Sequence, residues 1–234
     1  LSRALTVLIK SCFMKKLALS DKEPRWPAVI AVIGVGGLYA AIPHSLSAGP
    51  PWLLPLIVLG LLAPTVVTHK TGHDNVNRVL GVLLAAVMTL FLIWSLAILV
   101  LALPKHTQSP GMLLRSAGAL WITNVLVFAI WYWRLDAGGP HIRDLRRATD
   151  TLHREGAFLF PQMTMDSHLL KECGQRHWSP QFVDYLFLAF NTSTALSPAD
   201  TATLSRWAKL LQMLQSGLSL TIIALLAARA VNIL

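Results

Sequence analysis

Charge is scarce in this chain: Asp, Glu, Lys and Arg make up only 13% of its 234 residues. Soluble domains carry about 25%, because charged side chains cover a water-facing surface, whereas a lipid-facing surface excludes them. That shortage argues against a soluble fold. Cysteine is scarcer still. Cys12 and Cys173 stand far apart, too few for a disulfide framework or a zinc set, and both are expected as unpaired thiols. The sequence has no Walker loop, no H-E-x-x-H pair and no nucleophile elbow, so no catalytic residue, no cofactor and no enzyme activity is expected. No apolar stretch carries arginine at every third position, which excludes a voltage sensor.

What the chain does have is apolar length. Hydrophobic residues reach 54% and the mean hydropathy is +0.57. A basic segment, 1–25, is followed by four apolar spans at 27–43, 52–68, 79–103 and 112–133, which predict four transmembrane helices within 26–134. A polar amphipathic connector, 135–178, leads to a last unit, 179–234, whose final apolar span is 207–228. The expected fold is an all-α membrane protein with five to six transmembrane helices, one of them a short or re-entrant segment resembling a pore helix.

The net charge of +9 comes from short basic blocks between the spans. They lack the aromatic interleaving of a nucleic-acid reader, so no nucleic-acid partner is expected. The richest blocks are the N-terminal segment, the 69–78 link and 134–155. Four crossings put all three on the cytoplasmic side with the N-terminus, as the positive-inside bias requires. The expected location is a bacterial inner (plasma) membrane.

Within the connector, Gly138-Gly139-Pro140 starts a helix expected to reach Glu155, with Gly156 ending it. Ile142, Leu145 and Leu152 recur at helical spacing among Arg143, Arg146, Arg147 and Arg154. Either this is an amphipathic helix placing Arg143, Arg146 and Arg147 on the headgroups of an anionic bilayer, or it is a solvated connector. His168, Cys173 and His177, with Asp166 or Glu172, match no established ligand spacing, so no metal is expected.

Residues 179–203 are no ordinary span. Ser179 and Pro180 open a helix, and an apolar run from Phe182 to Phe190 follows, interrupted by Asp184. A helix from Pro180 to Asn191 is about 18 Å long, against a hydrocarbon core of about 30 Å. It stops partway, which is tolerated only where its last carbonyls are buried in protein or line water. Thr192, Ser193 and Thr194 put hydroxyls at that depth. Asp184 is an intramembrane ionisable candidate, or a carboxylate stabilised near a helix N-terminus. Asn124, in the fourth span, is either an interhelical hydrogen-bonding group or a pore-lining one.

The stretch DYLFLAFNTSTALSPAD, Asp184 to Asp200, resembles the pore-helix and filter segment of potassium channels, which typically ends in T-x-T-T-V-G-Y-G-D. Thr192 and Thr194 fall on the family's threonines, Asp200 falls on its closing aspartate, and Gly217 matches the hinge glycine of the next helix. The resemblance covers 179–234, and the whole chain also resembles bacterial multi-pass membrane proteins. It implies that Asn191, Thr192, Ser193, Thr194, Ser197 and Asp200 are pore-lining or filter-like, and that a homo-oligomer passes monovalent cations. Where the family has V-G-Y-G, however, this chain has Leu196-Ser197-Pro198-Ala199. Filter glycines permit the backbone geometry that aims carbonyls at the ion, and proline fixes φ near −65°. A potassium-selective filter therefore does not carry over.

The expected function is a channel-like membrane protein of open selectivity. The alternative is a non-conducting scaffold or accessory protein that binds lipid or a protein partner. A third reading is a small proton-coupled transporter with Asp184 as the carrier. The segment 180–196 either re-enters from the cytoplasm or crosses; a sixth crossing, with both termini inside, is preferred.

Overall fold

The computed structural model describes residues 23–43, 49–71, 73–102, 109–148, 156–173, 178–194 and 200–231. Helices dominate them: α1 (Trp26–Ala40), α2 (Leu53–Lys70), α3 (Asp74–Ala102), α4 (Pro110–Leu135), α5 (Pro140–Ala148), α6 (Ser167–Glu172), α7 (Phe182–Thr194) and α8 (Arg206–Val231). Among the described residues three stretches are long and apolar enough to cross a membrane: Asp74–Ala102, Gly111–Gly138 and Arg206–Ala228. Trp26–Ala40 and Leu53–Thr68 are apolar but shorter. The chain is accordingly a helical membrane protein.

The helices end where the chain stops offering good helical backbone. Pro27 and Pro110 open α1 and α4, where a missing N–H costs nothing. Asp74 sits in the first turn of α3, next to the positive end of the helix dipole. Every residue from Val127 to Ile130 is buried, as is Tyr132. A helix buried on all sides is a central one, and α4 packs against α1, α3, α7 and α8. In contrast, α8 turns Leu210, Met213 and Leu220 outward, with Met213 69% exposed.

At the end of α4 the chain reverses through Ala137 (φ 51°), Gly138 (φ 84°) and Gly139 (φ 95°). A Cβ on Gly139 would lie 2.8 Å from the Arg134 carbonyl oxygen, so glycine is required there. Ala137 takes left-handed backbone without being glycine, at about 1–2 kcal/mol. Ala137→Gly removes that strain but adds unfolded-state freedom of about 0.5–1 kcal/mol. The expected net gain is on the order of 0.5 kcal/mol, read as a higher unfolding midpoint in detergent; a lower midpoint would show that the turn is not strained.

The end of the bundle at this reversal, here the basal end, also organises the C-terminal unit. The Tyr185 hydroxyl near the start of α7 donates to Asp136 Oδ2 (2.6 Å), and Phe182 packs edge-on against Trp133 (5.9 Å). Further along, Ala189 pairs with Gln215 and Ser193 with Ser219, so α7 and α8 run parallel. Parallel neighbours require the chain to come back before the second helix starts. Just before α8, β2 (Ala202–Thr203) pairs antiparallel with β1 (Phe158–Leu159), and the Leu204 N–H donates to the Ala157 carbonyl (2.8 Å). The Ala157 N–H in turn donates to Asp136 Oδ1 (2.6 Å).

One carboxylate thus tethers both the start of α7 and the residues that precede α8. This corrects the preference for a sixth crossing: α7 enters the bundle for about 20 Å, and the chain returns to the end it left. Glu23, ahead of α1, lies at the basal end on Trp133, while α8 runs from there to the far end, so the two ends of the described chain lie apart. The helix expected to reach Glu155 is described to Ala148, and residues 149–155 lie outside the described residues.

Candidate functional site

Where α7 stops, a cleft of about 430 Å³ opens between its last turn, the returning segment and α8. Asn191 and Thr192 line it from α7, Thr201 and Thr203 from the returning segment, and Lys209, Gln212, Met213 and Ser216 from α8. Lys209 to Ser216 spans about 10 Å along α8, so the cleft runs from the basal end inward. Its lining is hydroxyl and amide, with Thr203 Oγ1 donating to Gln212 Oε1 (2.7 Å). Among the described lining residues Lys209 alone is charged.

The four polar residues that end α7 do not share one face, because successive residues turn by about 100°. Asn191 and Thr192 face the cleft, and the Thr192 hydroxyl donates to the Leu188 carbonyl (2.8 Å). Thr194 is half-buried and bonds the Asn191 carbonyl (3.1 Å). Ser193 points inward, only 1% exposed, so the expected set of pore-lining residues is split. Asp200 is exposed but absent from the cleft wall, and Ser197 lies outside the described residues. Gly217 sits within an unbroken α8, with nothing within 4 Å of a built Cβ, so packing does not demand glycine there.

Asp184 has a local task. Its carboxylate accepts the Gln181 N–H (2.7 Å) while its own N–H donates to the Gln181 carbonyl (3.0 Å), which closes the start of α7.

On the face of α8 next to the cleft, turned toward α4 and α7, is a hub that the sequence reading missed, Gln215. Its Nε2 donates to the Ala189 carbonyl (2.7 Å) and Ser193 Oγ (2.7 Å), and its Oε1 accepts the Tyr132 hydroxyl (2.5 Å). Asn124 Nδ2 donates to the Gln215 carbonyl (3.3 Å), so Asn124 bonds between helices, one of its two expected roles. Gln215 and Asn124 are fully buried. This hub joins α4, α7 and α8 and holds the short helix in place.

A second buried network closes the basal end. Glu23 Oε2 accepts Arg143 Nη2 (3.0 Å), and its Oε1 accepts the Trp133 indole N–H. Arg143 Nη1 donates to the carbonyls of Trp133 (2.8 Å) and Asp136 (2.9 Å), and its guanidinium lies over the Tyr185 ring (5.1 Å). Asp144 accepts the Glu23 N–H (3.1 Å) and pairs with Arg25 (3.0 Å). Burial pushes the Glu23 carboxyl above the ordinary carboxylate range, and Arg143 and Trp133 restrain the rise.

The headgroup position expected of Arg143 is therefore corrected: its side chain is 2% exposed and committed to Glu23. Arg146 is half-buried on the same helix, and the Arg147 side chain lies outside the described residues. Among the described residues no three His, Cys, Asp or Glu side chains gather for a metal. His168 pairs with Glu172 (3.4 Å), Cys173 is an exposed free thiol, and Cys12 and His177 lie outside the described residues.

Compared with family models, curated proteins and solved structures, the chain matches none.

Proposed function

We propose that this is a channel-like membrane protein whose conducting path follows α7, the returning segment and α8. The observation that carries this reading is a helix too short to cross the hydrocarbon core, ending beside an open polar cleft, whose chain returns to its starting end. Polar backbone at membrane depth is stable only where protein or water satisfies it, and this cleft offers both. In this reading α1 to α4 and α8 cross the membrane and α7 re-enters. The positive-inside bias makes the basal end cytoplasmic, in a bacterial inner membrane. Among the described residues the cleft is open on one side, and the outward face of α8, with Leu210 and Met213, supplies the contact through which a second copy closes it. The scaffold alternative loses its most specific residue, because Arg143 is engaged inside the protein.

The test is ion flux from proteoliposomes, with potassium and chloride gradients set separately because Lys209 adds a positive charge to the cleft. Thr192→Val keeps the side chain's shape and removes a lining hydroxyl, so a several-fold change in flux is expected. Asp184→Asn, outside the cleft, should leave both the rate and its pH dependence alone; a lost proton dependence would favour the transporter reading. No flux above empty liposomes from inserted, folded protein would sink the proposal.

A further inference from the structure

Four carboxylates at the basal end are already engaged with other groups. Glu23 holds Arg143, Asp144 holds Arg25, Asp136 accepts Tyr185 and the Ala157 N–H, and Asp74 pairs with His141 (2.9 Å). Arg134, at the basal end of the Gly111–Gly138 span, is left without one. Its single hydrogen bond is a long donation to the Asn77 carbonyl (3.4 Å). Arg25, a second cation, acts on it with the same sign. Such a half-buried charge needs an anion from elsewhere.

We infer that Arg134 binds the phosphate group of a phospholipid at the basal face. Two features fix its guanidinium in advance. One is a notch on α3 at Gly81, where a built Cβ would overlap Arg134 Nη1, Cζ and Nε. The other is the Trp133 ring, whose centroid lies 5.6 Å from Arg134 Cζ. A guanidinium held in one plane presents parallel N–H donors that match two phosphate oxygens, and holding it beforehand lowers the ordering cost of binding. The location favours lipid over a free anion, because the end of a membrane-crossing stretch lies at headgroup depth. The headgroup contact expected of Arg143 thus moves to Arg134, whose own position makes the phosphate its missing partner.

The experiment is native mass spectrometry of the full chain in detergent, titrated with dihexanoyl-phosphatidylglycerol, with inorganic phosphate as competitor. The unsubstituted protein should hold one lipid tightly, and Arg134→Gln should weaken that binding at least 10-fold. Gly81→Ala keeps every charge but fills the notch, and the displaced atoms are the far end of a flexible side chain. It should fold normally and still weaken binding several-fold. Arg78→Gln removes an exposed cation from the same end and should change little. Competition by inorganic phosphate would show that the phosphate group suffices, and its absence would assign the site to intact lipid. Equal binding by Arg134→Gln and the unsubstituted protein would overturn the inference, as would equal weakening by Arg78→Gln.

Discussion

Arg143→Met is expected to cost about 3–5 kcal/mol of stability, the usual penalty for breaking one side of a buried ion pair. The substitution leaves Glu23, itself 2% exposed, as a charge with only the Trp133 N–H to answer it. It also removes the guanidinium donor from the Trp133 carbonyl and from the Asp136 carbonyl, which keeps only the Gly139 N–H, at the turn where α4 hands the chain on to α5. Replacing both partners, as in Glu23→Leu with Arg143→Met, removes the stranded charge and should recover most of the loss.

Acid should also rescue the single variant. Burial holds the Glu23 carboxyl above its ordinary range, and without Arg143 it rises further. A group whose folded value is raised contributes stability below its unfolded value, about 4.3, and loses it as pH rises through the folded value. The deficit of Arg143→Met should therefore shrink between pH 7 and pH 5. Denaturation in detergent measures both effects. A loss no larger than that of the exposed Arg78→Gln would mean that the pair is not closed.

The first four helices were legible as helices because a long apolar run bounded by polar links has few other readings. The 52–68 run became Leu53–Lys70 and the 112–133 run became Pro110–Leu135. The 79–103 span grew backwards to Asp74, since Asp74, Asn77 and Arg78 are polar residues that a helix end accepts at an interface. The short helix was legible from its length, as an expected 180–191 against the observed Phe182–Thr194. Its return to the basal end was not, because the tethers lie far apart in sequence. Tyr185 meets Asp136 across 49 residues and Ala157 meets it across 21. Helical spacing put Arg143 among cations that suit a lipid surface. Nothing in that spacing could reveal a carboxylate 120 residues earlier. Gln215 left only a faint signal, one of two amides among the serines and apolar residues of α8.

Gln215→Leu is expected to be the most damaging substitution in the C-terminal unit. Leucine fits an apolar helix and adds hydrophobicity, so a purely apolar account of α8 predicts no loss. The hydrogen bonds predict the opposite. Two buried hydroxyls, those of Ser193 and Tyr132, lose their partner at once, and the Ala189 carbonyl loses the amide donor it holds beside its helical bond. Each unmet buried group costs about 1–3 kcal/mol. Part of that returns as the hydroxyls rotate toward their own helices, which leaves a net loss of about 2–5 kcal/mol. Ser219 still donates to the Ser193 carbonyl (2.5 Å), so α7 should loosen from α8 rather than leave it. That loosening is measurable as faster labelling of a Ser193→Cys probe, in a background lacking Cys12 and Cys173, by a thiol reagent. Gln212→Leu is the matched control: its amide faces the cleft and accepts only from Thr203, so its stability cost should stay below about 1 kcal/mol. If the two leucine variants are equally stable and Ser193→Cys labels at one rate in both, α7 is held by apolar packing alone. If Gln215→Leu labels faster and also loses flux while Gln212→Leu alters flux without loosening α7, holding the helix and lining the path are separate tasks of two amides one turn apart.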